Sequence, residues 1–216
     1  MIQLNFEGGR ERALKVLFLG CHSDDIEIGC GGTVLRLAEQ FPQAEFHWVV
    51  FTAAGVRDAE ARRAANLFAG ERLRTPLLKS FKDGFLPYVG ADVKTVFENE
   101  LKQLSPDLIF THYGKDAHQD HRLISELTWN TFRSHLILEY EIPKYDGDLG
   151  QPNFFVPLET EMYKKKVGYL MDAFQSQRNK HWFQPETFLA LMRLRGMECN
   201  APSGYAEAFY CRKMSL

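Results

Sequence analysis

The sequence lacks the features of several protein classes. No stretch approaches the roughly 20 consecutive apolar residues of a membrane-spanning helix, so no membrane span is predicted. The net charge is -2, and no run of like charge favours nucleic acid as a partner. Repeats, low-complexity segments and an interdomain linker are also missing. We therefore expect one domain spanning residues 1–216.

Cysteine is scarce and never forms a C-x-x-C pair. The four cysteines are Cys21, Cys30, Cys199 and Cys211. A chain of 216 residues, 45% of them hydrophobic, does not depend on a disulfide scaffold, so we expect free thiols in a reducing cytoplasm. The N-terminal segment also lacks the order of charged and apolar residues of a signal peptide. A cytoplasmic location is the prediction.

Apolar runs typical of buried strands alternate with helical patterns. Strands are predicted at 13–20, 45–52, 75–81, 106–112, 135–143 and 205–213. Helices are predicted at 32–41, 59–69, 91–104, 121–134, 159–177 and 185–197. This order favours a three-layer, Rossmann-like α/β domain with a mainly parallel sheet.

Two segments stand apart from this pattern. Residues 141–157 contain three Pro and two Gly and predict a long loop, either functional or a surface excursion. Within it, Phe154 and Phe155 could form a sugar platform, but core packing is the simpler expectation. The Lys-rich run "YKKK" at 163–166 is expected to be a solvated helix face.

Polar clusters follow two of the predicted strands. The first, in "CHSDDIEIGCGG", contains His22, Asp24 and Asp25. The second, in "THYGKDAHQDHR", contains His112, Asp116, His118, Asp120 and His121. Ligands of open α/β sheets bind outside the carboxyl ends of the strands, so we expect the clusters to meet at one edge.

A dinucleotide site is a poor match to the first cluster. Gly29, Gly31 and Gly32 are followed by Val34 where a G-x-G-x-x-G fingerprint requires its last glycine. The preceding acids would also repel a pyrophosphate. The glycines are better explained by a tight turn and close helix–sheet packing.

A divalent metal is the better interpretation. Two His and one carboxylate with an open position suit catalytic zinc, and also non-haem iron(II). The spacing H-x-x-D places two ligand atoms on one side of a turn, and a third ligand would come from the distant H-x-D-H.

Further motifs follow in a fixed order over most of the chain. They are H-S-D-D at 22–25, G-C-G-G-T at 29–33, R-x-x-E-x-x-x-A at 57–64, D-G-F-L at 83–86, H-Q-D-H at 118–121, S-Q at 176–177 and A-E-A-F at 206–209. Together they resemble the PIG-L/LmbE-type zinc-dependent N-deacetylases, which remove acetyl from N-acetylglucosaminyl groups. Ser23 replaces the usual Pro, and Asp116 stands where some members have Tyr.

The resemblance implies a metal site and a set of roles. One zinc ion per chain would be bound by His22, Asp25 and His121, with iron(II) or another divalent metal as the alternative. The catalytic residues would be Asp24 as general base, His118 as oxyanion stabiliser and acid, and Asp120 as the residue that orients His118. The residues that contact the sugar would be Arg57 and Asp83.

The chemistry explains the adjacent acids. Bound zinc lowers the pKa of water from about 15.7 to around 7, and a carboxylate beside the metal can then accept the proton. One of the two carboxylates can therefore bind the metal while its neighbour handles the proton. The expected reaction is hydrolysis of an N-acetyl group on an amino-sugar small molecule, and the family is compatible with a homo-oligomer.

Simpler interpretations remain beside these. Asp24 or Asp25 could be a helix N-cap, Arg57 a solvated charge and Asp83 a turn residue. Asp116 is expected to be a hydrogen-bonding residue, and the remaining His47, His112, His135 and His181 to be structural or surface residues. Rival functions are a deacylase of another amide, an iron(II) oxygenase, and a sugar- or metal-binding module; the last is disfavoured because every proposed catalytic position is filled.

Overall fold

The computed structural model describes residues 13–215. The part of the signal-peptide prediction that concerns residues 1–12 lies outside this range. Strands are β1 Lys15–Gly20, β2 Glu45–Val50, β3 Leu77–Leu78, β4 Leu108–His112, β5 Leu136–Tyr140, β6 Phe154–Pro157 and β7 Ala206–Cys211. They form one sheet in the order β3-β2-β1-β4-β5-β7-β6. The first five are parallel, and β7 runs antiparallel to both β5 and β6.

Helices cover both faces of this sheet. Their bounds are α1 Asp25–Gln40, α2 Val56–Ala69, α3 Gly90–Val96, α4 Gln119–Thr131, α5 Thr160–Ala173 and α6 Pro185–Glu198. The chain after α3 continues through a π-helical turn at Phe97–Leu101. The prediction of a mainly parallel, three-layer α/β domain is confirmed.

The pattern of β1 shows how the core is divided. Val16 and Phe18 belong to one apolar cluster, together with residues of α1, α2, α5 and α6. Leu17 and Leu19 belong to a second cluster, with residues of α3 and α4. All four side chains are 0% exposed, so a continuous apolar strand results from burial on both faces.

The glycine-rich segment of α1 differs from the expected turn. The helix begins at Asp25 instead of residue 32, and a kink with non-helical torsion angles lies at Cys30. A Cβ on Gly29 would lie 2.2 Å from the ring of Tyr140, and one on Gly31 would lie 2.6 Å from Phe68. Close packing, as expected, is what these glycines permit.

Two other predictions were wrong in part. Phe154–Pro157 forms β6, paired with β7, because backbone pairing at a sheet edge does not need an alternating pattern. Lys166 is buried, not solvated: its Nζ lies 2.6 Å from Oε1 of Glu207 and donates to the carbonyl of Ile28.

Candidate metal centre

Loops at one end of the parallel strands bring the predicted residues together. β1 and β4 are neighbours, so the segment after β1, with His22 and Asp25, meets the segment between β4 and α4, with His121. Arg57 follows β2 and Asp83 follows β3 on the same side. The expected convergence of the two polar clusters is what the structure has.

Three potential ligand atoms form a compact triangle. His22 Nδ1 lies 3.2 Å from His121 Nε2 and 3.3 Å from Asp25 Oδ2. The third side, between His121 Nε2 and Asp25 Oδ2, is 3.6 Å. Ligand atoms about 2.0–2.1 Å from a tetrahedral zinc ion stand about 3.3–3.4 Å apart. These donors therefore fit such an ion in both chemistry and spacing.

The remote nitrogen of each histidine faces a carboxylate. His121 Nδ1 lies 2.9 Å from Oδ2 of buried Asp116. His22 Nε2 lies 2.9 Å from Oδ1 of Asp83, an ion-pair contact without the alignment of a hydrogen bond. Metal-binding histidines usually have such a carboxylate or carbonyl partner, which orients the ring and raises its basicity.

The pKa values of the triangle residues differ strongly from their usual values. Burial alone would raise the pKa of Asp25, but the histidines around it, His22 first, hold that pKa well below its usual range. Burial, followed by His112, lowers the pKa of His121 to about 3, so this ring is neutral at neutral pH. The carboxylate is therefore ionised and the imidazole has a free lone pair, as metal ligands require.

His22 is the exception. Burial alone would lower its pKa, but Asp25, Asp120 and Asp83 outweigh burial and raise it well above the usual value. A metal at this triangle would have to displace a proton from His22.

A second group of potential metal ligands overlaps the triangle, with which it shares Asp25 and His121. Cys21, Asp25, His112 and His121 form a buried group of potential metal ligands, with atoms within 4.8 Å of one another. The His112 ring stacks on His121 with centroids 3.9 Å apart, and its Nε2 accepts from the Cys21 N–H. The sequence placed His112 in the second polar cluster, but we expected it to be a structural or surface residue; its contact with the metal-site residues was not anticipated.

The residues that the two groups do not share differ in burial. Cys21 and His112 are fully buried, and burial, then Asp25, raises the pKa of the Cys21 thiol well above its usual value. The triangle has its exposed side at Asp83, whose side chain is 75% exposed. Asp83 therefore marks the solvent side of the triangle, whereas Cys21 lies in the interior.

Asp24 lies beside the triangle and faces Arg57. Its Oδ1 is 2.5 Å from the Arg57 guanidinium, whereas its buried Oδ2 has no hydrogen-bond partner within residues 13–215. It precedes α1 without capping it through its side chain. Burial raises the pKa of Asp24 in spite of the opposing effect of Arg57.

The guanidinium of Arg57 is bound by two acidic side chains of this chain, Asp24 and Glu60. It pairs with Glu60 at 2.9 Å, and Glu60 in turn accepts hydrogen bonds from the backbone and side chain of Ser176. The motifs at 57–64 and 176–177 thus meet in one network that ends at Asp24. Contact with Asp24 was not anticipated from the sequence.

His118 caps α4 and touches the triangle. Its Nδ1 accepts from the backbone N–H of Asp120 at 3.3 Å, which leaves the proton of a neutral ring on Nε2. The ring centroids of His118 and His121 are 4.6 Å apart. Burial, then His22, lowers the pKa of His118, so the ring is neutral at neutral pH instead of cationic.

The carboxylate of Asp120 has a different partner from the expected one. Its oxygens accept from the N–H groups of Gly84 at 2.8 Å and Leu86 at 3.1 Å. Among the hydrogen bonds within residues 13–215, the one between Asp120 and His118 comes from the Asp120 backbone N–H and not from its carboxylate. The D-G-F-L turn needs these acceptors because its amides point inward, so Asp120 fixes the turn that carries Asp83.

Comparison with known proteins identifies the family of this chain. The family model PIG-L, described as GlcNAc-PI de-N-acetylase, matches residues 17–132, more than half of the 216. The chain belongs to the PIG-L family. The matched range includes the triangle, Asp24, Arg57, Asp83 and His118.

Solved structures share the fold of this PIG-L family member at low identity. N,N'-diacetylchitobiose deacetylase from Pyrococcus horikoshii is 21% identical, with 92% of this chain and 84% of that chain covered and a TM-score of 0.72. Teicoplanin deacetylase Orf2, in a zinc-inhibited form, is 13% identical, with 91% and 97% covered and a TM-score of 0.68.

The same fold is found with a different reaction. GalB, the 4-carboxy-2-hydroxymuconate hydratase from Pseudomonas putida KT2440, is 17% identical, with 94% and 98% covered and a TM-score of 0.66. Fold alone therefore does not decide the reaction or the substrate.

Among the described helices, none has the length and apolar character needed to cross a bilayer.

Proposed function

We propose that this protein is a zinc-dependent hydrolase that removes an N-acetyl group from an amino sugar or sugar conjugate. The observation that carries the proposal is the triangle of His22, Asp25 and His121 beside an unpaired oxygen of Asp24. The chitobiose and teicoplanin deacetylases with this fold favour an amide on a sugar conjugate as the substrate.

The three triangle residues would hold the metal. Zinc bound there supplies Lewis acidity, which polarises the amide carbonyl and acidifies a water molecule. Asp116 and Asp83 would keep the ring orientations of His121 and His22, respectively.

Asp24 supplies proton transfer, and His118 supplies a hydrogen-bond donor. Asp24 Oδ2 accepts a proton from the water whose oxygen bonds to the carbonyl carbon; its raised pKa makes it a better base than an ordinary aspartate. The neutral His118 ring donates a hydrogen bond from Nε2–H to the oxygen that gains negative charge. The proton that Asp24 accepted then passes to the nitrogen as the C–N bond breaks. The products are acetate and a free amine.

Asp83 is the proposed contact to the sugar. It is exposed at the mouth of the site, where its free oxygen can accept from a hydroxyl group. Arg57, 20% exposed, would act on the substrate mainly through Asp24.

Release of primary amine tests the reaction. The protein, reconstituted with zinc or with iron(II), is incubated with free, nucleotide-linked and glycoside-linked N-acetylglucosamine, with and without chelator. Chelator-sensitive release with zinc supports the proposal and identifies the substrate form. A dependence on dioxygen would support the iron(II) oxygenase, and hydration of an enoate without amine release would support a hydratase like GalB.

Two variants test the assigned roles. Asp24→Asn should retain stoichiometric metal but lose at least 100-fold in kcat, since it removes the base; Asp58→Asn, on the exposed face of α2, is the control. His121→Ala should lose metal, whereas His181→Ala, which is exposed, should not. An active Asp24→Asn, or full metal content in His121→Ala, would contradict the respective assignment.

A further inference from the structure

One carboxylate behind the metal centre contacts both histidines of the H-x-D-H motif. Asp116 is 2% exposed. Its Oδ1 accepts from the backbone N–H of His118 at 2.7 Å, and its Oδ2 lies 2.9 Å from His121 Nδ1. Asp116 therefore holds the ring of His121 and the backbone of His118.

A lysine from a distant segment holds this carboxylate. Lys144 Nζ lies 2.9 Å from Asp116 Oδ2 and 2.6 Å from Oδ2 of Asp148. The same oxygen of Asp148 accepts from the N–H of Ala117 at 2.6 Å. The lysine side chain is only 11% exposed, so its charge interacts mainly with these two acids.

Lys144 belongs to residues 141–153, a segment that we call the strap. The strap is anchored on both sides of Lys144, at Glu141 and at Gly150. Glu141 forms two hydrogen bonds with Arg195, at 2.7 and 2.8 Å. The carbonyl of Gly150 accepts from Arg195, and its N–H donates to the hydroxyl of Tyr210. These anchors hold the lysine in place through the body of the domain.

Removal of the lysine charge would leave an unstable arrangement. Asp116 and Asp148 both bind Lys144 Nζ, so without it two poorly exposed carboxylates would face each other at short range. Asp116 would then rotate away from Asp148. That rotation weakens its ability to accept from His121 Nδ1 and to keep Nε2 directed at the metal.

We propose that Lys144 is a positioning residue for the metal centre: through Asp116, it fixes His121 with Nδ1 protonated and Nε2 directed into the triangle. This inference rests on the proposed metal site. It assigns to the strap a role in metal affinity, although the strap lies outside the family motifs.

Metal affinity measured against a chromophoric chelator tests the proposal. Lys144→Met should bind zinc about 10- to 100-fold more weakly than the wild type, as for other losses of a ligand's supporting partner. Lys144→Arg, which keeps the charge, should stay near the wild type. Lys94→Met is the matched control, because Lys94 forms an exposed ion pair with Glu98 far from the site. Equal affinity of Lys144→Met and the wild type would overturn the inference.

A double-mutant cycle separates this role from general destabilisation. If Lys144 acts through Asp116, Lys144→Met adds little to the affinity loss of Asp116→Asn; additive losses would contradict the proposal. Each variant is compared in the temperature range where circular dichroism shows the metal-free protein folded, so a loss of folding is not counted as a loss of affinity.

The metal-free protein gives an independent readout. Long-range proton–nitrogen NMR of the imidazoles should show a protonated Nδ1 on His121 in the wild type and its loss or exchange broadening in Lys144→Met. An unchanged His121 signal in Lys144→Met would overturn the inference whether or not metal binds. A wild type that binds no zinc, with the NMR difference present, would instead count against the proposed function alone.

Discussion

The buried ion pair between Glu207 and Lys166 should be among the most sensitive points of the fold. Glu207 Oε1 accepts from the N–H of Gly32 at 2.8 Å and from Lys166 Nζ at 2.6 Å. Its Oε2 accepts from the N–H and the hydroxyl of Thr33, both at 2.6 Å. This one carboxylate therefore holds the start of the second part of α1, directly after the kink at Cys30.

Glu207→Gln removes the charge and one acceptor. Whichever way the amide is turned, its NH2 group meets donors: Gly32 and Lys166 on one side, Thr33 on the other. The Lys166 ammonium, 2% exposed, would lose its charged partner. Breaking a buried pair in this way costs about 3–5 kcal/mol. At about 2–4 °C per kcal/mol for a domain of this size, Tm should fall by about 6–20 °C.

The assay is urea and thermal unfolding of the metal-free protein at pH 7. Asp172→Asn is the control, because its partner Arg63 is 51% exposed and such pairs contribute about 1 kcal/mol or less. The double variant Lys166→Met, Glu207→Gln should be less destabilised than the sum of the two single variants. If Glu207→Gln loses no more stability than Asp172→Asn, the reasoning about this pair is refuted.

Two other predictions concern α1 and the base. Gly29→Ala should destabilise the protein by about 1–3 kcal/mol, because the new Cβ would lie 2.2 Å from the ring of Tyr140. Gly168→Ala in α5, which has open space around it, should instead stabilise the protein by about 0.5–1 kcal/mol. Equal effects of the two variants in urea unfolding would contradict this reasoning. Arg57→Met should keep the metal and lower kcat by about 10-fold or more, because Asp24 loses its charged hydrogen bond; a change confined to KM would instead support direct contact between Arg57 and the substrate.

The sequence by itself determined the fold class and the core of the site. Continuous apolar strands alternating with helices require a parallel sheet covered on both faces, as Val16 to Leu19 illustrate. Polar residues at the ends of two such strands must then meet at one edge, so proximity of the two clusters followed from topology. The ordered motifs added the family.

Tertiary structure alone decided which groups face one another. His112 is an ordinary strand residue in sequence, but pairing of β4 with β1 places its ring against Cys21 and Asp25. The lysine of "KYDGD" at 144–148 reaches Asp116 only because the strap folds back over the segment after β4. Glu207 and Lys166 lie 41 residues apart and meet at a kink that no local pattern predicts. Such contacts depend on distances between chain segments remote in sequence, and local periodicity contains no information about them.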